Sequence, residues 1–333
     1  MTPTDIEKLA DEILLGLRRR PGKLFSLKAL ANNLRADLGD TVSALTLLRQ
    51  WGYRLNKSAG KVALRATPDS LTATEISYGL KTRFIGRAIH CYQSVKSTND
   101  IAIALAEKGQ KEGTIVTAEE QTRGKGRLGR SWHSPARAGI YISIILRPRF
   151  EPELAPGLAI MTSLALADTL NSFCPGSVRI KWPNDIQIGG RKVAGILTEL
   201  SAEKSGIDYV VIGTGINVNH RPGDFPEDLR AIATSVRAAV RKKVRRIELL
   251  QDFLRRFEKE YLRYTKRQLA PSRRRLLAYS SLIGSTVKLS IGRKTVEGLA
   301  VDINKAGELV IERDGRRQAV SSGEVTVIKD GAC

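Results

Sequence analysis

The chain has 333 residues, 42% of them hydrophobic, and a formal net charge of +21. That length accommodates two to three domains, and no apolar run reaches the roughly eighteen residues of a transmembrane helix, so no membrane role is expected. Three scattered cysteines (Cys91, Cys174, Cys333) without C-x-x-C spacing speak against a disulfide or zinc framework and for a reducing cytoplasm. Three widely spaced histidines (His90, His133, His220) make a histidine metal site an unlikely reading. The positive charge implies attraction to nucleic acid, phosphates or acidic protein surfaces.

Met1 to Glu12 is amphipathic and lacks a signal-peptide apolar core. Residues 1–66 read as a winged helix-turn-helix. A first helix spans about Asp5 to Arg19 and stops before Pro21-Gly22. Ser26 caps a second helix over Leu27–Leu34, and Asp40 is the expected N-cap of a third over Thr41–Trp51. At 100° per residue Ala44, Leu45 and Leu48 share one side of the third helix. Ser43, Thr46, Arg49 and Gln50 lie opposite, on the face that would enter a major groove. A hairpin over Tyr53–Asn56 and Val62–Arg65 follows, with Lys57 to Lys61 as its wing tip. One cation on the third-helix face is poor for gripping phosphate, and such modules also serve as protein-interaction units.

A linker with a short helix (Thr72–Thr82) occupies residues 67–83, and a domain of mixed strands and helices is expected over 84–281. Within it, residues 119–135 interleave Gly124, Gly126 and Gly129 with Arg123, Lys125, Arg127 and Arg130. Glycine lets backbone approach a ligand, and N–H groups flanked by cations form a cradle for anionic oxygens. Gly124 to Gly129 is formally G-x-G-x-x-G, the pattern of dinucleotide-binding and kinase loops. Here a strand (Gly139–Leu146) follows instead of a helix, no acid lies near position 145, and H-R-D and D-F-G are missing. The loop alone indicates anion binding.

Lys181-Trp182-Pro183-Asn184-Asp185 closes a short strand and leads into a Gly189-Gly190 turn, from which Arg191 to Leu197 returns. Lys181 and Lys192 thereby fall on neighbouring strands. Tyr209–Ile212 is an apolar strand expected to end at Gly213-Thr-Gly215-Ile-Asn217, where glycines permit approach to a flat base or ribose. From Arg237 to Arg275 fifteen Lys/Arg face four Asp/Glu, on helices with apolar periodicity, which reads as a solvated face. Past Leu282, five short strands separated by Gly292, Asn304–Gly307, Asp314-Gly315 and Gly323 suggest a small SH3-like β-barrel over 282–330.

Taken in order, Ser97-Thr98-Asn99, the Gln121 to Trp132 loop, Lys181 to Asp185, Arg191 to Gly195 and Gly213 to Asn217 resemble the signature set of biotin protein ligases, in the bifunctional bacterial form that doubles as a biotin operon repressor. Trp51-Gly52 matches that family's Trp-Gly after the third helix. The resemblance implies an α+β chain: winged helix-turn-helix, a central mixed sheet of the class II aminoacyl-tRNA synthetase kind, and the C-terminal barrel. It implies ATP-dependent conversion of biotin to biotinyl-5′-AMP, then transfer to the target lysine of the biotin carboxyl carrier protein of acetyl-CoA carboxylase. Mg²⁺ would bridge phosphates, operator DNA would be a second partner, and the chain would form a homodimer.

The resemblance also distributes roles. Ser97, Thr98, Asn99 and Gln121 would meet biotin's ureido ring, with Lys125, Gly126, Arg127, Lys192 and Gly195 completing the biotin site. Lys192 would contact the biotin carboxylate and α-phosphate, Arg127 would hold the same region, and Arg130 would face the triphosphate. Lys181, Gly213, Gly215 and Asn217 fall to the nucleotide. Trp132 either stacks on adenine or forms a lid, and Asn184 and Asp185 either bind nucleotide or orient the incoming lysine. The DNA set is Ser43, Thr46, Arg49, Gln50, Lys57 and Lys61. Lys125 stands where the family commonly has arginine, which keeps charge but loses bidentate grip; Arg123 and Leu128 also depart. The competing readings are a lipoate or octanoate transferase of the same fold, and a biotin-sensing DNA regulator without catalysis.

Overall fold

The structure, a computed structural model, describes residues 3–203, 206–291, 294–321 and 323–328. The turn glycine Gly292, Cys333 and the expected barrel end at 329–330 lie outside the described residues. Contacts divide the chain into two compact units, Met1–Ser70 and Leu71–Cys333; the C-terminal strands pack within the second.

The first unit runs α1 (Pro3–Arg18), β1 (Phe25–Ser26), α2 (Leu27–Asn33), α3 (Leu38–Gln50), β2 (Arg54–Ser58) and β3 (Lys61–Ala66). Leu9, Ala10, Ile13, Leu14 and Leu17 recur at helical spacing and bury against Ala44, Leu45 and Leu48 of α3. Ser43, Thr46, Arg49 and Gln50 are exposed. The cap of α3 is Asp37 rather than Asp40: its extended backbone turns Oδ1 onto the N–H groups of Gly39 (2.5 Å) and Asp40 (3.0 Å). The strands of the hairpin reach Ser58 and restart at Lys61, so Lys57 and Lys61 are strand residues. The tip is Ala59-Gly60, both at positive φ, as a two-residue hairpin turn requires.

The second unit contains α4 (Ala73–Ser77), β4 (Ile89–Val95), α5 (Thr98–Glu107), β5 (Ile115–Gln121), β6 (Gly139–Leu146), α6 (Pro156–Phe173), β7 (Val178–Lys181), β8 (Asp185–Ile188), β9 (Arg191–Glu203) and β10 (Gly206–Asn217). Then follow α7 (Glu227–Arg230), α8 (Val236–Val240), α9 (Arg246–Arg267), α10 (Arg273–Tyr279), β11 (Thr286–Ile291), β12 (Lys294–Ile303), β13 (Leu309–Arg313), β14 (Arg316–Val320) and β15 (Glu324–Val327). Strands β4-β5-β6-β10-β9-β8-β7 make one mixed sheet, parallel only between β4 and β5. The last five strands form an antiparallel sheet in the order β14-β13-β12-β11-β15.

Helix α6 is apolar around most of its circumference because it is covered by the sheet and by α9. Gly157 makes the second contact possible: a Cβ there would sit 2.1 Å from the Tyr264 hydroxyl, which donates to Leu154 O. Helix α9 buries Leu249, Leu250, Phe253, Phe257 and Tyr261 and exposes Arg255, Lys259, Arg263, Lys266 and Arg267, the solvated basic face expected. Its Glu258 is buried and accepts from the backbone N–H groups of Arg83 (2.6 Å), Phe84 (2.8 Å) and Ile85 (2.9 Å), fixing the entry to β4. Glu258→Ala strands three donors and is expected to cost about 2–4 kcal/mol, read as a lower urea midpoint with unchanged slope.

Candidate active site

Adjacent strands β9, β10 and β6 put small residues and one lysine on a common face, and the β5–β6 loop folds over them. The resulting cleft is open to solvent, with about 450 Å³ of empty space counted together with its mouth. It is lined by Ser97, Thr98, Asn99, Gln121, Lys125, Gly126, Arg127, Trp132, Asn184, Lys192, Gly195 and Gly213 to Gly215, with Ile196 and Leu197. Gly213 and Gly215 lie inside β10 rather than at its end. Side chains cannot replace them there: a Cβ at Gly213 would fall 2.2 Å from Asn99 Oδ1, and one at Gly215 would fall 2.3 Å from Trp132 Nε1.

One end of the cleft is a wall of neutral hydrogen-bonding groups. Ser97 occupies the N-cap position of α5 without a capping bond from its side chain, which leaves the hydroxyl to the cleft. Gln121 Oε1 accepts from Thr98 N (2.8 Å) and Thr98 Oγ1 (3.0 Å), while its Nε2 donates to Ser134 Oγ (3.0 Å). Asn99 Nδ2 donates to Glu199 Oε2 (2.6 Å), and Ser143 Oγ lies 2.5 Å from Asn99 Oδ1. Sequence reasoning missed Ser143 and Glu199.

The other end is cationic, and each cation is held by a protein acceptor. Lys192 Nζ is 2.7 Å from Asp185 Oδ1 and 5.3 Å from the centre of the Trp132 ring. Its backbone is fixed as well, donating to Ile232 O (2.8 Å) and accepting from Thr234 N (2.9 Å). Arg127 donates to Asn184 Oδ1 (2.7 Å); Asn184 is itself bonded through Nδ2 to Ile196 O (2.9 Å). Lys125 pairs with Asp100, and that hydrogen bond is the main cause of an ammonium pKa above its usual value. The two residues that sequence left interchangeable thus differ in contact: Asn184 touches the arginine and Asp185 the lysine.

Several expected site residues sit elsewhere. Gly126 N donates to Arg130 O (2.7 Å) and Trp132 N to Gly124 O (2.8 Å), so the loop closes on itself as a narrow ladder and part of the imagined N–H cradle is already used. Arg130 lies outside the cleft lining and pairs with Glu324 of β15. Lys181 and Asn217 are also outside the lining, and Lys181 is not on a strand neighbouring that of Lys192: β8 lies between β7, which carries Lys181, and β9, which carries Lys192. Trp182 is core, 2% exposed, with Nε1 donating to Gly307 O. Among the described residues no cysteine lines the cleft, and burial pushes the Cys91 thiol up to about 12.

Next to His133, with ring centres 6.1 Å apart, His220 is fully buried, stacked on Phe225 at 5.0 Å, and neither ring nitrogen has a hydrogen-bond partner among the described residues. Burial first, then repulsion from His133, lowers its pKa from 6.5 to about 4. The unfolded chain therefore binds a proton that the folded chain refuses as pH falls through 6.5. Stability is withdrawn from there down to pH 4, by up to about 3 kcal/mol. Between pH 7 and pH 4, His220→Phe should gain on the parent by about that amount in urea titrations. Parallel curves would remove this histidine from the acid response.

A mixed sheet whose cleft separates a neutral polar end from a cationic end suits an acid held by head and tail. Residues 91–217 match the Biotin/lipoate A/B protein ligase family and residues 282–327 the Biotin protein ligase C terminal domain. The chain is 36% identical over 278 residues to the bifunctional ligase/repressor BirA of Bacillus subtilis, covering 84% of this chain and 83% of that one. It is 34% identical over 245 residues to the biotin–[acetyl-CoA-carboxylase] ligase of Mycobacterium tuberculosis, covering 70% and 86%. The biotin protein ligase of Aquifex aeolicus, solved with biotin and ATP, superposes with a TM-score of 0.64 at 28% identity, covering 73% of this chain and all of that one. The chain belongs to the biotin protein ligases.

Proposed function

We propose that the chain activates biotin with ATP to biotinyl-5′-AMP and passes the biotinyl group to a lysine of the biotin carboxyl carrier protein. The observation that carries this reading is the two-ended cleft: hydrogen-bonding side chains at Thr98 and Gln121 suit a cyclic urea, and Lys192 with Arg127 suits a carboxylate. The carboxylate oxygen attacks the α-phosphorus, pyrophosphate leaves, and the lysine amine then displaces AMP from the mixed anhydride. Negative charge gathers on oxygen in both steps, so fixed cations lower both barriers. In the free protein, Asp185 and Asn184 occupy the cations that substrate oxygens would take over. Asp185, released from Lys192, is then placed to accept the proton of the attacking amine.

Trp132 serves in this reading as a lid whose Nε1 is buried and without a partner in the free protein, a donor in wait for the nucleotide. Gly213 makes room for Asn99, and the base would reach Gly215 as the Trp132 ring above it moves aside. Arg130 reaches the nucleotide only by leaving Glu324. Among the described residues no three His, Cys, Asp or Glu side chains gather into a metal cage. Mg²⁺ would therefore arrive on the nucleotide's own phosphates, neutralising them. The experiment is transfer of labelled biotin to a carrier domain with ATP, with and without its target lysine. Label on the lysine-bearing carrier alone, matched by pyrophosphate release, is expected; no turnover would leave the biotin-sensing regulator.

The first unit is read as a winged helix-turn-helix that binds biotin operator DNA, the central sheet as the class II synthetase kind, and the last sheet as an SH3-like barrel. Exposed Ser43, Thr46, Arg49 and Gln50 would meet bases, and exposed Lys57 and Lys61 would meet phosphates. Lys57→Ala and Lys61→Ala should each weaken binding to the operator and reduce the salt slope by about one. Unchanged slopes would move the wing off the DNA. A homodimer is proposed through β4, an edge strand exposing Tyr92, Gln93 and Ser94; a concentration-dependent mass in solution tests it.

A further inference from the structure

The neutral wall of the cleft ends on a charge that neither the glycine loop nor the lysine motifs point to. Glu199 lies on the face of β9 that carries Gly195 and Leu197, by the strand's period of two. A carboxylate only accepts hydrogen bonds, so Glu199 dictates which end of the Asn99 amide faces it. Nδ2 donates to Oε2 at 2.6 Å, and Asn99 Oδ1 is thereby turned to Ser143. The Ser143 hydroxyl lies 2.5 Å from that oxygen and 2.8 Å from Thr98 Oγ1, but it has one proton. Given to Asn99, that proton is withheld from Thr98. Thr98 sends its own proton to Gln121 Oε1 or to Ser143 and keeps its lone pairs for the cleft. Without the carboxylate the amide is free to turn over, and Ser143 then donates into Thr98 and fills a lone pair.

We infer that Glu199 is a positioning residue that sets the direction of the Asn99–Ser143–Thr98 chain, holding the Thr98 hydroxyl as an acceptor for an N–H of the substrate's ureido ring. The inference rests on the reading that places that ring against Thr98 and Gln121. All three members of the chain are at most 3% exposed, so water does not substitute for the missing direction. A cyclic urea presents two N–H donors where an alkyl acid presents none, so a wall of fixed acceptors also separates the two substrate classes.

The test is a double-mutant cycle read in adenylate formation. Glu199→Gln keeps the shape but offers an amide that no longer dictates direction. It should raise the KM for biotin about tenfold while kcat and the KM for ATP stay within about twofold. Thr98→Val should raise the biotin KM at least as much, and the double variant should be no worse than Thr98→Val alone, because no hydroxyl remains to orient. A merely structural role predicts penalties that add, and additive penalties, an unmoved biotin KM in Glu199→Gln, or equal losses in kcat would each overturn the inference. If Glu199→Gln folds poorly by thermal melting, Glu199→Met closes the same cycle. Thr98→Val and Gln121→Ala both at the parent KM would instead remove the ureido assignment itself, a failure the cycle keeps separate.

Discussion

Lys192→Ala is expected to slow adenylate formation by about a thousandfold, or about 4 kcal/mol of transition-state stabilisation. The ammonium is held from three sides: the Asp185 carboxylate, the Trp132 ring and a backbone pinned between Ile232 and Thr234. Its backbone and the indole keep the ammonium in place, so only Asp185 has to give way when charge develops on the phosphate oxygens. Lys192 is 35% and Asp185 25% exposed, so solvent screens part of the charge left behind, but Asp185 Oδ1 itself is buried, and stability should fall by about 1–2 kcal/mol. Lys192→Arg should not restore the rate, since the longer guanidinium spreads its charge over a planar fork and does not replace the compact ammonium at the reacting oxygens. Pyrophosphate release under single-turnover conditions reads the step, and a near-parent rate would detach this lysine from the chemistry.

The largest stability loss is expected at Arg246→Met. Arg246 is 1% exposed and Glu119 4%, with contacts at 2.7 and 3.3 Å; Arg246 also donates to Gly139 O. Glu119 accepts in addition from Leu71 N at 2.7 Å, where the second unit begins. Removing the guanidinium leaves a buried carboxylate without its charge partner, which costs about 3–5 kcal/mol and should lower the melting temperature by about 10 °C. Replacing both, Glu119→Leu with Arg246→Met, should recover part of that loss, because the desolvation of both charges is then avoided while Leu71 N is left without its acceptor. Calorimetry of the two variants decides it, and a single variant within about 1 kcal/mol of the parent would contradict the burial argument.

Where the cleft lining comes from short runs of chain, the sequence carried it. The glycine and cation spacing of residues 121–132, Lys192 after its turn, and Ser97 to Asn99 at the start of α5 all come together around one cleft. What stayed illegible depends on neighbours far apart in the chain. Glu199 meets Asn99 across one hundred positions because β9, β10 and β6 are adjacent, and nothing local to Glu199 announces it. The resemblance puts Arg130 at the triphosphate, yet Glu324 of the C-terminal sheet claims it. Asn184 and Asp185 separate only through register: Asp185 pairs with Gly195 at a bulged stretch of β8 and β9, which brings its carboxylate to Lys192. At α3, Asp37 and Asp40 both satisfy the pattern of a cap, and only the backbone dihedrals choose.

A crystal structure with biotin and a non-hydrolysable ATP analogue tests the central claim most directly. The account predicts the ureido ring within hydrogen-bonding distance of Thr98 and Gln121. It also predicts the carboxylate and α-phosphate within about 3 Å of Lys192 Nζ and Arg127, with Asp185 and Asn184 displaced from them. Biotin and nucleotide bound away from the β5–β6 loop, with the Lys192–Asp185 pair intact, would contradict it.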